Sequence, residues 1–311
     1  MLRRILLVTT CLVLLATAGL GAYLAHNPSG PIPGENADVP RFIGTSATPR
    51  RIPAVLVPQH PWLAEQGINS MHNDSYQSDA YPWAGPLGID PVVTSRRFHN
   101  VVGSCVAATW DSKGRMISTC VTPFGVTLIA RDPATLDILA RKKITHWLPI
   151  GQKFSGGVYF HLDNEDRVLL ASNDPAIQLW QLAQTGQGLQ WELVQSIQIG
   201  RALDKVRKED HAVIDVMPDW QGNYWFITRG GLVGVSDRRG EVIKASALQG
   251  EGIDNARAIG RNGVFIASNH AMYGFRRGLN GGPGLMWREA YDRGSAPKPG
   301  TMGHGTGTTP T

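Results

Sequence analysis

Ala107-Ala108-Thr109-Trp110-Asp111-Ser112-Lys113-Gly114-Arg115-Met116-Ile117-Ser118 is the stretch that decides the fold. Two runs of apolar, β-branched and aromatic residues flank four polar turn residues, Asp111 to Gly114, which is a β-hairpin signature. The same plan returns three times. Tyr159–Leu170 turns at Asp163-Asn164-Glu165-Asp166, Ile214–Ile227 at Asp219-Trp220-Gln221-Gly222, and Ala258–Ala267 at Arg261-Asn262-Gly263. The turns begin at 111, 163, 219 and 261, so the repeat length is 52, 56 and then 42 residues.

Two more strand candidates follow each hairpin. They are Val126–Arg131 and Leu136–Lys142, Ile177–Leu182 and Trp191–Ile199, Leu232–Ser236 and Glu241–Ala245, and Met272–Arg276 and Leu285–Glu289. Four strands in each unit of this length make the blade of a β-propeller. The competing arrangement, a two-sheet sandwich of unrelated hairpins, would not repeat one turn chemistry at this interval. The expectation is an all-β chain with about four blades over residues 101–293, ring closure left open, preceded by one N-terminal hydrophobic helix. Gly and Pro, 36 and 20 of 311 residues, argue against an all-α fold, and nine Trp with the Val/Ile runs argue against disorder.

Outside the blades the chain reads as four segments. Met1-Leu2-Arg3-Arg4 is a basic start, and residues 5–25 carry no charge, so residues 1–25 form either a signal peptide or a membrane anchor. Both place the remainder on the extracytoplasmic side of the cell envelope, secreted or held at the membrane by that helix. Residues 26–60 are a Pro-rich linker. Residues 61–100 are a wrapping arm or a partial blade, and 294–311 are a Gly/Thr-rich tail.

Two of the 30 basic residues lie in the first 25, leaving 28 against 25 acidic residues. That small, dispersed excess points away from nucleic acid. Arg50-Arg51, Arg96-Arg97, Arg238-Arg239 and Arg276-Arg277 read as solvated turns. Cys105 and Cys120 flank the first hairpin. With a four-residue loop Trp110 faces Arg115, and the same register sets the two thiols opposite each other. In an oxidising compartment they form a disulfide; otherwise they are buried free thiols. Two cysteines alone are too few for a metal site.

The chain also resembles a family of exported bacterial β-propeller proteins with no settled activity. The resemblance runs from His60 to the C-terminus through His60-Pro61, Met71-His72-Asn73-Asp74, Ser78-Asp79, Gly85-Pro86-Leu87-Gly88 and Gly156–Asp163. It continues through Pro218-Asp219-Trp220-Gln221-Gly222, Ile253-Asp254-Asn255, Lys298-Pro299-Gly300 and Gly303–Thr311. It implies a C-terminally shortened member, because in that family the Gly-Thr-Thr-Pro-Thr element leads into further strands. More distantly the blades are similar to strictosidine-synthase, gluconolactonase and quinoprotein propellers.

Propeller ligands gather where the loops between second and third strands meet the inter-blade connections. There the sequence places Asn173, Asp174, Asp254, Asn255, Asn269 and His270, oxygen and imidazole groups able to hold a divalent cation such as calcium. Arg229, Glu251 and His211 join the same mouth, and His72 and Asp74 reach it if the arm crosses over it. The bland alternative is that these are ordinary turn residues. Three functions follow in order: a module binding a small molecule or protein, a metal-assisted hydrolase of an ester or lactone, and a quinoprotein dehydrogenase. The last lacks the repeated Trp-docking turns, and no nucleophile elbow, P-loop or His-Glu-x-x-His motif is present.

Overall fold

The computed structural model describes residues 9–19, 57–81, 94–96, 103–122, 124–145, 158–172, 175–204, 212–293 and 309–310. The chain divides into two compact units, Met1–Thr48 with Pro86–Val102, and Pro49–Gly85 with Gly103–Thr311. In the first, residues 9–19 form helix α1, with Leu12, Val13, Leu14 and Leu15 exposed. Among the described residues no helix is long and apolar enough to cross a membrane. The rest of the 5–25 apolar run, most of the 26–60 linker and most of the 294–311 tail lie outside the described residues.

The second unit holds four antiparallel sheets, each a meander of four consecutive strands. Blade 1 is β1 (Ser104–Trp110), β2 (Met116–Thr122), β3 (Gly125–Arg131) and β4 (Ile138–Lys143). Blade 2 is β5 (Phe160–Leu162), β6 (Val168–Ser172), β7 (Ala176–Thr185) and β8 (Gly188–Gln198). A one-turn helix α2 (Gly200–Leu203) leads on to blade 3: β9 (Val213–Pro218), β10 (Tyr224–Thr228), β11 (Leu232–Ser236) and β12 (Ile243–Ala247). Blade 4 is β13 (Ala258–Gly260), β14 (Gly263–Ala267), β15 (Ala271–Arg277) and β16 (Pro283–Ala290). This is the repeated four-stranded blade of a β-propeller. The expected all-β class holds, and the described residues form four blades.

In blades 2 to 4 the first strands β5, β9 and β13 are buried along their whole length, as inner strands are, whereas the last strands β4 and β16, and β1 of blade 1, are mostly exposed. Three apolar cores lie between neighbouring blades. Ile117, Leu128, Leu162, Leu170 and Trp180 fill the first; Leu179, Val216, Phe226 and the α2 residue Leu203 the second; Trp225, Val233, Ile266 and Tyr273 the third.

The hairpin turns owe their geometry to their first residue. Asp111 Oδ1 accepts from the backbone N–H groups of Lys113 and Arg115, and its Oδ2 accepts from Arg115 Nε at 2.6 Å. Asp163 repeats the set with Glu165 and Arg167, and Asp219 with Gln221 and Asn223. The aspartate thus satisfies donors that the turn leaves unpaired, an Asx arrangement. In blade 4 Arg261 and Asn262 make a two-residue turn between paired Gly260 and Gly263.

The Cys105–Cys120 disulfide is present. Its register arises differently from expectation. Trp110 pairs with Met116, not Arg115, so the loop has five residues, and a bulge between Cys105 and Ala107 restores the Cys105–Cys120 pairing.

Residues 57–81 form turns and a single β-bridge, Leu63 to Asp163. They lie across the hairpin-turn end of the inner strands. Thr109 Oγ1 of β1 donates to the Ile68 carbonyl (2.8 Å), the Leu162 N–H of β5 to the Asn69 carbonyl (2.6 Å), and the Ile259 N–H of β13 to the Ser75 carbonyl (2.6 Å). Ring contacts also join the arm to the propeller: Arg238 lies over Trp62 at 4.3 Å, and Tyr76 meets the edge of Trp220, whose ring lies under Arg261 at 5.0 Å.

Candidate functional site

A strand alternates its ends, so β1–β2-type turns and β2–β3-type loops lie at opposite ends of each blade. The arm occupies the first end. The second carries most of the residues expected at a mouth. Arg229 follows β10, Asn269 and His270 follow β14, and Glu251, Asp254 and Asn255 lie between β12 and β13.

Backbone bonds draw these loops together. The Arg229 carbonyl accepts from Ile253 N–H (3.0 Å). Asn269 N–H donates to the Gly252 carbonyl (2.8 Å), while Gly252 N–H donates to Asn269 Oδ1 (2.9 Å). Gly231 permits this approach: its φ is +77°, and a Cβ there would stand 2.0 Å from the Glu251 carbonyl oxygen. On that frame Arg229 pairs with Asp254 at 2.7 Å, and His270 Nδ1 lies 2.8 Å from Asn269 Oδ1. All four side chains, and Asn255, belong to half-buried residues. Glu251 is held by Arg288 (2.7 Å) and by Ser268. Burial would raise its carboxyl pKa, but hydrogen bonds from Ser268, Arg288 and Tyr273 keep it below the usual range.

The structure therefore brings Arg229, Glu251, Asp254, Asn255, Asn269 and His270 to one end of blades 3 and 4. It does not bring His72 and Asp74 there: both sit in the arm at the opposite end, with His72 Nδ1 2.9 Å from Asp79 Oδ1. Asn173, Asp174 and His211 lie outside the described residues. Asp254, one of the two acids of the expected cation set, has its charge met by the Arg229 guanidinium. Among the described residues no group of three or more His, Cys, Asp or Glu side chains is gathered as a metal would need.

One polar cluster escaped the sequence reading. His161 of β5, Asp215 of β9 and Arg257, just before β13, meet among the inner strands of three successive blades. His161 Nε2 is 2.9 Å and Arg257 Nη1 3.1 Å from the two Asp215 oxygens, and Arg257 also donates to the Trp225 carbonyl. The Asp215 and Arg257 side chains are fully buried. Burial opposes ionisation of Asp215, but Arg257 and His161 overcome it and hold its pKa at about 2. Toward the mouth, burial and the Asp215 charge raise the Tyr159 phenol, with Arg229 opposing. Toward the arm, burial and His161 push His60 down to about 4. The sequence held one signal, a polar residue inside an otherwise apolar inner strand: Phe160-His161-Leu162 and Ile214-Asp215-Val216.

No protein-family model matches this chain, and no curated protein does. Among solved structures, it is similar to the β-propeller domain of Cps50 (Swd1) from Myceliophteria thermophila. Identity is 12%, the match covers 64% of this chain and 74% of that chain, and the TM-score is 0.31. The propeller assignment stands on the four meander sheets.

Chemically the mouth offers a guanidinium, two carboxylates, two carboxamides and an imidazole, all on half-buried residues. That is a set of mixed donors and acceptors suited to a polar ligand. The inner cluster is sealed from solvent and links three blades.

Proposed function

We propose that this protein is an exported propeller, held at the membrane by its N-terminal apolar segment. It binds a polar small molecule or a partner's polar loop at the end of blades 3 and 4. The observation that carries this reading is the asymmetry of the two ends. Residues 57–81 cover the inner strands at the hairpin-turn end, while the other end presents Arg229, Asp254, Asn255, Asn269 and His270 half-exposed. Export is supported by the disulfide, which belongs to an oxidising compartment, and by the basic start and uncharged run over 5–25. The resemblance to exported bacterial propellers agrees with it. Metal-assisted hydrolysis of an ester or lactone lacks comparable support, because Asp254 is paired with Arg229. Quinone-dependent dehydrogenation has no observation in its favour.

The test is a thermal-shift screen of small carboxylates, lactones and neutral sugars against the full chain and an Arg229→Ala/His270→Ala variant. A compound that raises the Tm of the parent but not of the variant supports the reading. A shift that survives both substitutions moves binding away from this mouth. Protease accessibility of the chain in intact spheroplasts tests export; protection from external protease would overturn it.

A further inference from the structure

Between Asn69 and Gln77 the arm buries a set of oxygen atoms that nothing satisfies. Asp74 is 2% exposed. Its carboxylate accepts from the Tyr76 N–H (2.8 Å) and the Ser78 hydroxyl, and among the described residues no Lys, Arg or His pairs with it. In the same nine-residue segment Asn69 Oδ1, Asn73 Oδ1, Ser75 Oγ and Gln77 Oε1 are buried without a hydrogen-bond partner. These four residues are 1%, 3%, 1% and 0% exposed. The three carboxamides cannot be turned to cure this. Their nitrogens donate to the carbonyls of Ala64, Ala80 and Asp74, and a flip would set oxygen against oxygen.

The backbone keeps the five residues together. Asn73 N–H donates to the Ser70 carbonyl (3.2 Å), Gln77 N–H to the Asp74 carbonyl (3.0 Å) and Asp79 N–H to the His72 carbonyl (3.2 Å), so two successive turns wind this segment into one loop. A buried carboxylate without a counter-charge is costly, and so is each orphaned acceptor. Ordered water would supply donors but no positive charge. A hard cation takes up the oxygen lone pairs by coordination and also supplies the positive charge. One carboxylate with neutral carboxamide and hydroxyl oxygens matches the irregular, oxygen-only shell of Ca²⁺ better than the strict octahedron of Mg²⁺.

We propose that Asn69, Asn73, Asp74, Ser75 and Gln77 bind one calcium ion, with water completing its shell. The ion ties the arm to the propeller, because the carbonyls of Asn69 and Ser75 receive the N–H groups of Leu162 in β5 and Ile259 in β13. This site lies at the opposite end from the mouth and does not depend on the ligand-binding reading.

The experiment uses the full chain and terbium as the calcium probe. Tyr76 lies in the loop with Trp220 6.4 Å from it, so bound Tb³⁺ is excited through these rings. The expected result is sensitised emission saturating at one ion per chain, displaced by Ca²⁺, with Ca²⁺ raising the Tm. Asp74→Asn should weaken binding at least about tenfold, since ligand charge sets affinity in such sites. Ser75→Ala should weaken it less, and it keeps the test usable if Asp74→Asn does not fold. Asp254→Asn, at the other end, should leave it unchanged. Absence of sensitised emission together with a Tm indifferent to Ca²⁺ up to about 1 mM, the weak end of extracellular calcium modules, would overturn the proposal. So would binding lost in Asp254→Asn and kept in Asp74→Asn.

Discussion

Nε2 of His161 lies 2.9 Å from Oδ1 of Asp215, across the seam between the inner strands of blades 2 and 3. Arg257 closes the same carboxylate from blade 4 at 3.1 Å. Removing one partner leaves an uncompensated buried charge. Asp215→Leu or Arg257→Met alone should each cost about 3–5 kcal/mol, and the double variant less than the sum of the two. Urea denaturation of the four chains gives the coupling; additive costs would mean that the two side chains act independently.

Stability should also fall in two acid steps. Folded His60 has a pKa of about 4 against an ordinary 6.5, so the unfolded chain binds more protons between those values. Its contribution is full above pH 6.5 and is lost as pH falls to 4, an effect of about 3 kcal/mol at 1.36 kcal/mol per pKa unit. Asp215, held at about 2 against 3.8, contributes stability that is full above pH 3.8 and lost as pH falls toward 2. Chemical denaturation across pH 2–8 should show His60→Gln flattening the upper step and leaving the lower one.

Reducing Cys105–Cys120 opens a loop closed over a sequence separation of 15 residues. In the chain-entropy account that removes about 3 kcal/mol. The denaturation midpoint should drop when reductant is added and match that of Cys105→Ser/Cys120→Ser. A midpoint insensitive to reductant would show that the blade 1 hairpin holds its register without the cross-link.

Gly231→Ala places a methyl group against the Glu251 carbonyl in a backbone conformation that disfavours side chains. The expected cost is about 1–3 kcal/mol, the scale of backbone strain at such positions. The variant should also separate the Arg229 loop from the 251–255 connection. Faster hydrogen exchange at Ile253, whose N–H donates to the Arg229 carbonyl, reads this out directly; unchanged exchange there would show that the loop absorbs the methyl without moving.

Much of the fold was legible because its signals are local. Asp111, Asp163 and Asp219 each settle a turn through partners within four residues, and the strands between them follow the apolar pattern. The predicted strand Leu232–Ser236 coincides with β11, whereas Ile177–Leu182 and Trp191–Ile199 correspond to the longer β7 and the overlapping β8. The cysteine register shows the limit of local reasoning. The pairing is as expected, but a five-residue loop and a bulge before Ala107 produce it, and neither is encoded by turn residues alone. The mouth was half legible: Gly, Asn and Asp mark loops, yet only the fold shows that His72 and Asp74 belong to the far end.

By itself the sequence determined the repeat, the four-stranded blades and the loops that carry polar groups, because each rests on signals a few residues apart. Tertiary structure alone decided that residues 57–81 cover one end of the inner strands, and that His161, Asp215 and Arg257 meet. Those three are separated by 54 and 42 residues. Their ionisation and pairing come from burial and from charges on neighbouring blades, and neither exists until the sheets have packed.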